Sequence, residues 1–203
     1  MENQSWVPKT KFGKKVKNQE ITDVDEILSS GHPILEPETI DILLPDLKSE
    51  TLAINTTQRV TDSGRKIKFR AIVVVGDGKG RVGLGSGKSE EVKPAIGYAL
   101  KEAKKKLIKI KQGCGSWECK CKESHSIPKR TTGKEGSTIV TLYPAPKGVS
   151  LVANRVIKKV LKMAGVKDVW SKTMGSTSNV YNTASATINA LNNLNRLKPK
   201  KGE

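Results

Sequence analysis

Beyond residue 58 this chain has few acidic residues, and the deficit bounds its function. Its 203 residues carry 37 Lys and Arg against 20 Asp and Glu, a formal charge of +17 and a pI near 9.8. Nine of the acidic residues lie between positions 18 and 58, where Lys48 is the one basic residue, so the cationic surplus belongs to the chain from Arg59 onward. A surplus of that size drives a protein onto a polyanion through counterion release. Membrane is the rival polyanion, but no run of about 18 apolar residues is present, as a spanning helix would require. The opening MENQSWVPKTKFGKK lacks the apolar centre of a signal peptide, so a cytoplasmic protein without a membrane partner is expected. Cysteine is scarce too. Cys114, Cys119 and Cys121 are odd in number and crowded, which argues against a disulfide framework and for reduced thiols. Of the two histidines, His32 sits in a Gly-His-Pro turn and is given no role.

What the chain does have is a glycine-rich, basic centre, KIKFRAIVVVGDGKGRVGLGSGKS from Lys66 to Ser89. Ile67, Phe69, Ala71 and Val73 alternate with Lys66, Lys68 and Arg70, the period of a strand with one face in a core and the other offering cations. Gly76-Asp77-Gly78-Lys79-Gly80 reads as a turn, Arg81 to Leu84 as a returning strand, Gly85 to Lys88 as a second turn and Ser89 as the approach to a helix. Gly78, Gly80 and Gly83 fit the spacing of a dinucleotide loop, yet a strand pattern follows where the helix should begin. Gly87-Lys88-Ser89 resembles the end of a phosphate loop, but the glycine required at position 82 is Val82. A nucleotide hydrolase is therefore the weaker alternative, a free RNA chaperone another. The glycines are expected to let backbone approach a phosphate chain, with Arg59, Arg65, Lys66, Lys68, Arg70, Lys79, Arg81 and Lys88 as RNA-binding cations and no catalytic residue, cofactor or metal assigned.

The chain divides by composition into an arm (1–46), a compact α+β unit (47–113), a Cys-containing linker (114–124), a second α/β unit (125–197) and a tail (198–203). Within the arm, Thr22 or Asp23 could cap a short helix ending at Gly31. In the first unit a strand ends near Val60, Thr61-Asp62-Ser63-Gly64 turns, and a helix carries Val92, Ile96, Ala99, Leu100, Ala103, Leu107 and Ile110 as one stripe, with Lys101, Lys104, Lys105 and Lys109 opposite. Cys114-x4-Cys119-x-Cys121-x3-His125 offers four soft ligands, but the spacing is not a usual zinc arrangement and a linker with free thiols is favoured. Then come strands at Ser126 to Arg130 and Ser137 to Tyr143, and a helix with Val152, Ala153, Val156, Ile157, Val160, Met163 and Ala164 on one side and Arg155, Lys158, Lys159 and Lys162 on the other, stopped by Gly165. A strand from Val166 to Thr173, with Trp170 read as packed, and a last helix with Val180, Ala184, Ile188 and Leu191 on its apolar side complete the pattern.

The run Phe69 to Lys88 closely resembles the signature of the universal small-subunit ribosomal protein five family. Pro144-Ala145-Pro146, Met163-Ala164-Gly165-Val166-Lys167-Asp168-Val169, Gly175-Ser176 and Asn182-Thr183-Ala184-Ser185-Ala186-Thr187 agree in order, so the resemblance covers roughly residues 50 to 195. The acidic arm and the Cys114 to Cys121 insert look like the archaeal and eukaryotic branch. The resemblance implies an α+β protein, a double-stranded-RNA-binding-like domain followed by a ββαβα two-layer domain, without catalytic activity. It implies a structural constituent of the small subunit that binds ribosomal RNA and contributes to assembly. It further implies a place where the messenger RNA enters, beside ribosomal proteins four and eight. By position, Val60 to Lys68 is similar to the family loop that meets ribosomal RNA near the decoding region and influences accuracy, and Lys79, Arg81 and Lys88 fall where the family meets RNA and the message.

Overall fold

Strand order follows from two hairpins that share a central strand. In the computed structural model, which describes residues 6–195 apart from 22, 30, 32, 120 and 122, β1 (Lys48–Thr61), β2 (Gly64–Gly76), β3 (Arg81–Ser89) and β4 (Ile108–Lys109) form one antiparallel sheet in that order. Helix α4 (Val92–Lys105) crosses it between β3 and β4. A second sheet, ordered β5-β6-β8-β7, is built from β5 (Thr131–Glu135), β6 (Thr138–Pro144), β7 (Leu151–Val152) and β8 (Val169–Met174), with α5 (Arg155–Met163) and α6 (Val180–Asn195) packed on it. Ahead of both come α1 (Lys11–Lys17), α2 (Val24–Ser29) and α3 (Glu38–Leu43). The α+β class is as expected. Thr22, His32 and the tail Lys198–Glu203 lie outside the described residues.

The alternation expected of β2 stops at Arg70. From Ala71 to Gly76 every residue is buried, because helices cover both faces. Ala71, Val73 and Val75 meet Ala95, Ala99 and Ala103 of α4, while Ile72 and Val74 join Leu52, Val82 and Leu84 in a core shared with Ile157, Val160, Leu161, Ala184 and Leu191. One sheet face thus belongs to the first half and the other to the second.

The segment Gly85 to Lys88, expected as a turn, is strand: β3 continues to Ser89, paired with β2 from Gly76↔Val82 to Phe69↔Ser89. The reason lies across the sheet. A Cβ on Gly83 would stand 2.3 Å from the Ala103 carbonyl oxygen, one on Gly85 2.1 Å from that of Ala99, and one on Gly87 2.3 Å from that of Ala95. Every second residue of the strand faces every fourth residue of the helix, so the two backbones touch with no side chain between them. Gly83, Gly85 and Gly87 therefore serve a helix, and for these three the expectation that they admit a phosphate chain is corrected. The same device recurs in β5, where a Cβ on Gly133 would meet the Ala186 carbonyl at 2.1 Å. That packing holds Gly133 inside a strand, whereas the strand had been expected at Ser126 to Arg130.

Further expectations shift for similar reasons. Helix α4 ends at Lys105, so Leu107 and Ile110 leave its stripe: Leu107 packs with Val24 and Ile40 of the arm, and Ile110 enters the shared core. The arm, expected as an extension, thereby has a small buried cluster of its own. Val152 lies in β7 and α5 begins at Arg155; the last strand starts at Val169, and Trp170, between Tyr143 and Val152 in the sheet, is 38% exposed. Among the described residues no helix is long and apolar enough to cross a membrane.

The halves are joined by backbone. Helix α5 ends in carbonyls without partners of their own, and the first half supplies them: Gly78 N–H donates to Met163 O at 3.0 Å and Gln112 Nε2 to Ala164 O at 2.9 Å. Gly165, at φ +78°, passes so close to Gly78 that a Cβ would lie 2.0 Å from its carbonyl oxygen.

Two glycine substitutions separate the seam from ordinary helix propensity. Gly85→Ala should destabilise by about 1 to 3 kcal/mol or more, since a methyl is forced into carbonyl and amide atoms. Gly97→Ala, inside α4 with nothing within 4 Å of its Cβ, should stabilise by roughly 1 kcal/mol. Urea denaturation of the two variants tests both signs, and equal effects would refute the seam.

Candidate nucleic-acid interface

Strands β1 and β2 run on past the covered part of their sheet, and from Gln58 to Lys68 every residue is exposed. The tight turn is held locally, with Thr61 Oγ1 donating to Gly64 O at 2.9 Å. Register sets the chemistry of the two faces. Arg59 lies opposite Lys66, Thr57 opposite Lys68, and Arg70 stands between Asn55 on one side and Lys88 on the other. By the period of two, Lys66, Lys68 and Arg70 share the face that further along holds Ile72 and Val74. Arg59, Lys66, Lys68, Arg70 and Lys88 therefore converge on one surface. A shallow concavity between them is lined by Thr57, Arg59, Thr61, Lys66, Lys68 and Lys88.

Like charges placed directly across a strand pair are destabilising, so this face carries a cost in isolation. Little relieves it: Lys66 and Glu90 approach at 3.4 Å with both side chains more than half exposed, an arrangement worth at most about 1 kcal/mol. Arg70 differs from the others. Its guanidinium lies over the Tyr181 ring at 4.8 Å, and among the described residues its buried Nε has no hydrogen-bond acceptor. Tyr181 sits on α6, more than a hundred residues away in sequence, so no local pattern could have paired them.

The remaining cations of the sequence-derived set lie elsewhere. Arg65 shares the opposite face of the hairpin with Val60 and Ile67, which are 74% and 51% exposed. Lys79, in the β2–β3 turn, and Arg81, the first residue of β3, lie at the far end of the sheet, on the order of 40 Å away along β2. Lys79 is exposed, but Arg81 is occupied: its Nε donates to Asp25 Oδ1 at 2.9 Å and its Nη1 to Asp77 Oδ2 at 3.2 Å. Asp77 also accepts from the backbone N–H of Lys79 and Arg81. Arg81 thus fastens the arm to the sheet.

The acidic arm repeats this elsewhere. Asp25 also pairs with Lys109 and Asp41 with Lys104, and just beyond the arm Glu50 of β1 pairs with Lys159 of α5. Arm and β1 carboxylates thus neutralise the body around α4, β4 and α5, and none of these four pairs reaches the hairpin tip.

Gly87-Lys88-Ser89, the remnant of a phosphate-loop pattern, lies wholly within β3 with Gly87 against Ala95. A strand there offers no helix N-terminus to a phosphate, so the hydrolase alternative loses its loop.

The three cysteines, expected as free thiols of a linker, are free and lie close together with His125. One ligand atom from each of Cys114, Cys119, Cys121 and His125 lies within 4.8 Å of the other three. The Cys119 and Cys121 sulfurs are 2.8 Å apart, and their shared hydrogen bond lowers the Cys119 thiol to about 6 and raises Cys121 to about 11. No disulfide joins the three cysteines.

Comparison with known proteins bears on the whole chain. The family described as ribosomal protein S5, N-terminal domain matches residues 47–111, and the one described as ribosomal protein S5, C-terminal domain matches residues 133–201. A protein of Methanocaldococcus jannaschii named small ribosomal subunit protein uS5 is 55% identical over 190 residues, 94% of this chain and 88% of that relative. Its namesake in Methanospirillum hungatei is 53% identical over 193 residues, 95% and 94% of the two chains. That in Staphylothermus marinus is 50% identical over 190 residues, 94% and 89% of the two.

The Asp25 contact has a pH signature. Hydrogen bonds from Arg81 and Lys109 hold the Asp25 carboxyl below its ordinary value, so its contribution is complete above the unfolded value near 3.9 and disappears as pH falls through the lowered one. Asp25→Asn should release α2 at neutral pH by about 1 kcal/mol, roughly a fivefold loss of amide protection over residues 24–29. In the unmodified chain the same loss should appear only below about pH 4. Hydrogen exchange that leaves α2 equally protected in the variant would remove Asp25 as the fastening.

Proposed function

The chain belongs to the ribosomal protein S5 family, and from that premise we propose that it grips ribosomal RNA chiefly with the exposed end of the β1–β2 hairpin. It is a non-enzymatic structural component of the small ribosomal subunit, built from an N-terminal double-stranded-RNA-binding-like domain and a C-terminal domain of its own. One observation carries the hairpin reading: Arg59, Lys66, Lys68, Arg70 and Lys88 crowd one strand face, with Arg59 opposite Lys66 and Arg70 opposite Lys88, while arm and β1 carboxylates pair with Arg81, Lys104, Lys109 and Lys159 elsewhere. A cost of that kind is repaid when phosphates come between the cations.

Cations on a strand face meet phosphates without reading base edges, so recognition is of RNA shape. Arg65 at the tip and Arg70 at the base extend the same finger, Arg70 with its guanidinium plane already stacked on Tyr181. Lys79, exposed at the far turn, provides a separate contact, and the family resemblance supports the incoming messenger there. Arg81 acts indirectly by fixing that turn. The same resemblance supports neighbours in ribosomal proteins four and eight and an influence of the finger on translational accuracy.

Arg59→Ala/Lys66→Ala/Lys68→Ala should weaken binding to a small-subunit ribosomal RNA fragment. The slope of log affinity on log salt should flatten by roughly 0.7 to 0.9 per lost contact. Lys93→Ala/Lys101→Ala/Lys105→Ala, on the exposed side of α4, removes the same charge and should change the slope far less. Equal slopes for the two triples would show that net charge, and not this face, binds the RNA.

A further inference from the structure

Between the two halves runs a loop that no hydrophobic core holds. None of its described residues from Cys114 to Ser124 is buried, and Trp117 at its tip is 91% exposed. Its ends are nonetheless fixed: Gly113 and Ser126 exchange backbone hydrogen bonds at 3.0 and 2.9 Å, and Gly115 N–H donates to Ile127 O at 3.1 Å. Gly115 passes so close to Pro128 that a Cβ would stand 2.1 Å from its carbonyl oxygen. Inside the closed loop, the side chains that turn inward together are Cys114, Cys119, Cys121 and His125.

The histidine is set up to face those sulfurs. It is 4% exposed, and its Nδ1 lies 2.8 Å from Asp168 Oδ2 while its Nε2 lies 3.1 Å from Cys121 Sγ and 3.7 Å from Cys119 Sγ. A carboxylate at Nδ1 holds the proton there and leaves the Nε2 lone pair directed at the thiols, the relation that orients metal-bound imidazoles. Asp168 is itself fixed, its Oδ1 accepting from the backbone N–H of Gly148 at 3.2 Å and of Ser150 at 2.8 Å. The same short stretch holds the histidine backbone, since His125 O accepts from Lys167 and Asp168 N–H at 2.9 and 3.2 Å.

We propose that Cys114, Cys119, Cys121 and His125 bind one zinc ion as a closed, structural Cys3His site, with Asp168 positioning the histidine. Tetrahedral zinc with Zn–S near 2.3 Å and Zn–N near 2.0 to 2.1 Å places its ligand atoms about 3.5 to 3.8 Å apart. The observed separations of 2.8, 3.1 and 3.7 Å, all within the 4.8 Å envelope, reach that geometry by shifts of about an ångström. Four protein ligands leave no open position, so the ion is structural and performs no chemistry. The thiols give up their protons as the metal enters, and no oxidant or reductant is needed. Such an ion would tie the connection between the halves to the Lys167–Asp168 segment that leads into β8.

Metal analysis of the full chain purified under reducing conditions should find one zinc per polypeptide. Cobalt added to the zinc-free chain should give the intense visible absorption of a tetrahedral ion with thiolate charge transfer in the near ultraviolet. Asp168→Asn should keep that spectrum and lose roughly 10- to 100-fold in zinc affinity. Cys119→Ser/Cys121→Ser should lose stoichiometric binding. The unmodified chain gives a result that depends on no variant's folding: its three thiols should react slowly with a thiol reagent until a zinc chelator is added, and fast afterwards. Absence of stoichiometric zinc, a weak octahedral cobalt spectrum, or thiols equally reactive with and without chelator would each overturn the site.

Discussion

Helix α4 touches strand β3 backbone to backbone, and the rest of the molecule is arranged around that contact. Gly83, Gly85 and Gly87 present no side chain where Ala103, Ala99 and Ala95 present only methyls, so the helix settles on the sheet at a distance no larger residue would tolerate. Closing one face of the sheet this tightly leaves the other face of β2, with Ile72 and Val74, for the second half of the chain. The long β1–β2 hairpin is what neither layer reaches. Its exposure follows from the packing at the other end of the same strands.

Charge is partitioned by the same geometry. The arm is acidic and docks where the body is basic, through Asp25 to Arg81 and Lys109 and through Asp41 to Lys104, while Leu107 supplies the apolar anchor between Val24 and Ile40. Individually these ion pairs contribute little. Their effect is local: they partly neutralise the α4–β4 region and α5, whereas the hairpin face has a single exposed pair, Lys66 with Glu90. A chain with +17 spread evenly would attract polyanions everywhere, and these pairs lower that pull around α4, β4 and α5.

What could be read from the sequence was local. The Thr61-Asp62-Ser63-Gly64 turn carries its own chemistry, so the hairpin and its cations were legible. So were the α+β class and the order of most elements, because each rests on short-range period. The glycine seam was not, since alternating glycines in one strand and alanines four apart in a helix acquire meaning only when superimposed. Nor was the role of Arg81, whose partner Asp25 lies 56 residues away, or the stacking of Arg70 on Tyr181. The helix ends moved for the same reason: Leu107 and Ile110 fit the stripe of α4 by period, but each is claimed by a different core.

The Cys114 to His125 segment shows the same limit at a site. Its ligand spacing fits no usual pattern because the fold, and not a local knuckle, brings the four side chains together: the bridge at Gly113 and Ser126 closes the loop, and Asp168, 43 residues on, aims the imidazole. Asp168 lies between α5 and β8, just after Gly165 packs against Gly78 of the first sheet. A single short stretch, Met163 to Asp168, therefore receives the β2–β3 turn at one end and the cysteine loop at the other. With α5 also bonded to β1 through Lys159 and Glu50, the base of the hairpin, the junction and the loop share one rigid support. The RNA grip proposed for the finger requires a base of that kind, because cations on a swinging hairpin would neutralise phosphates without positioning them.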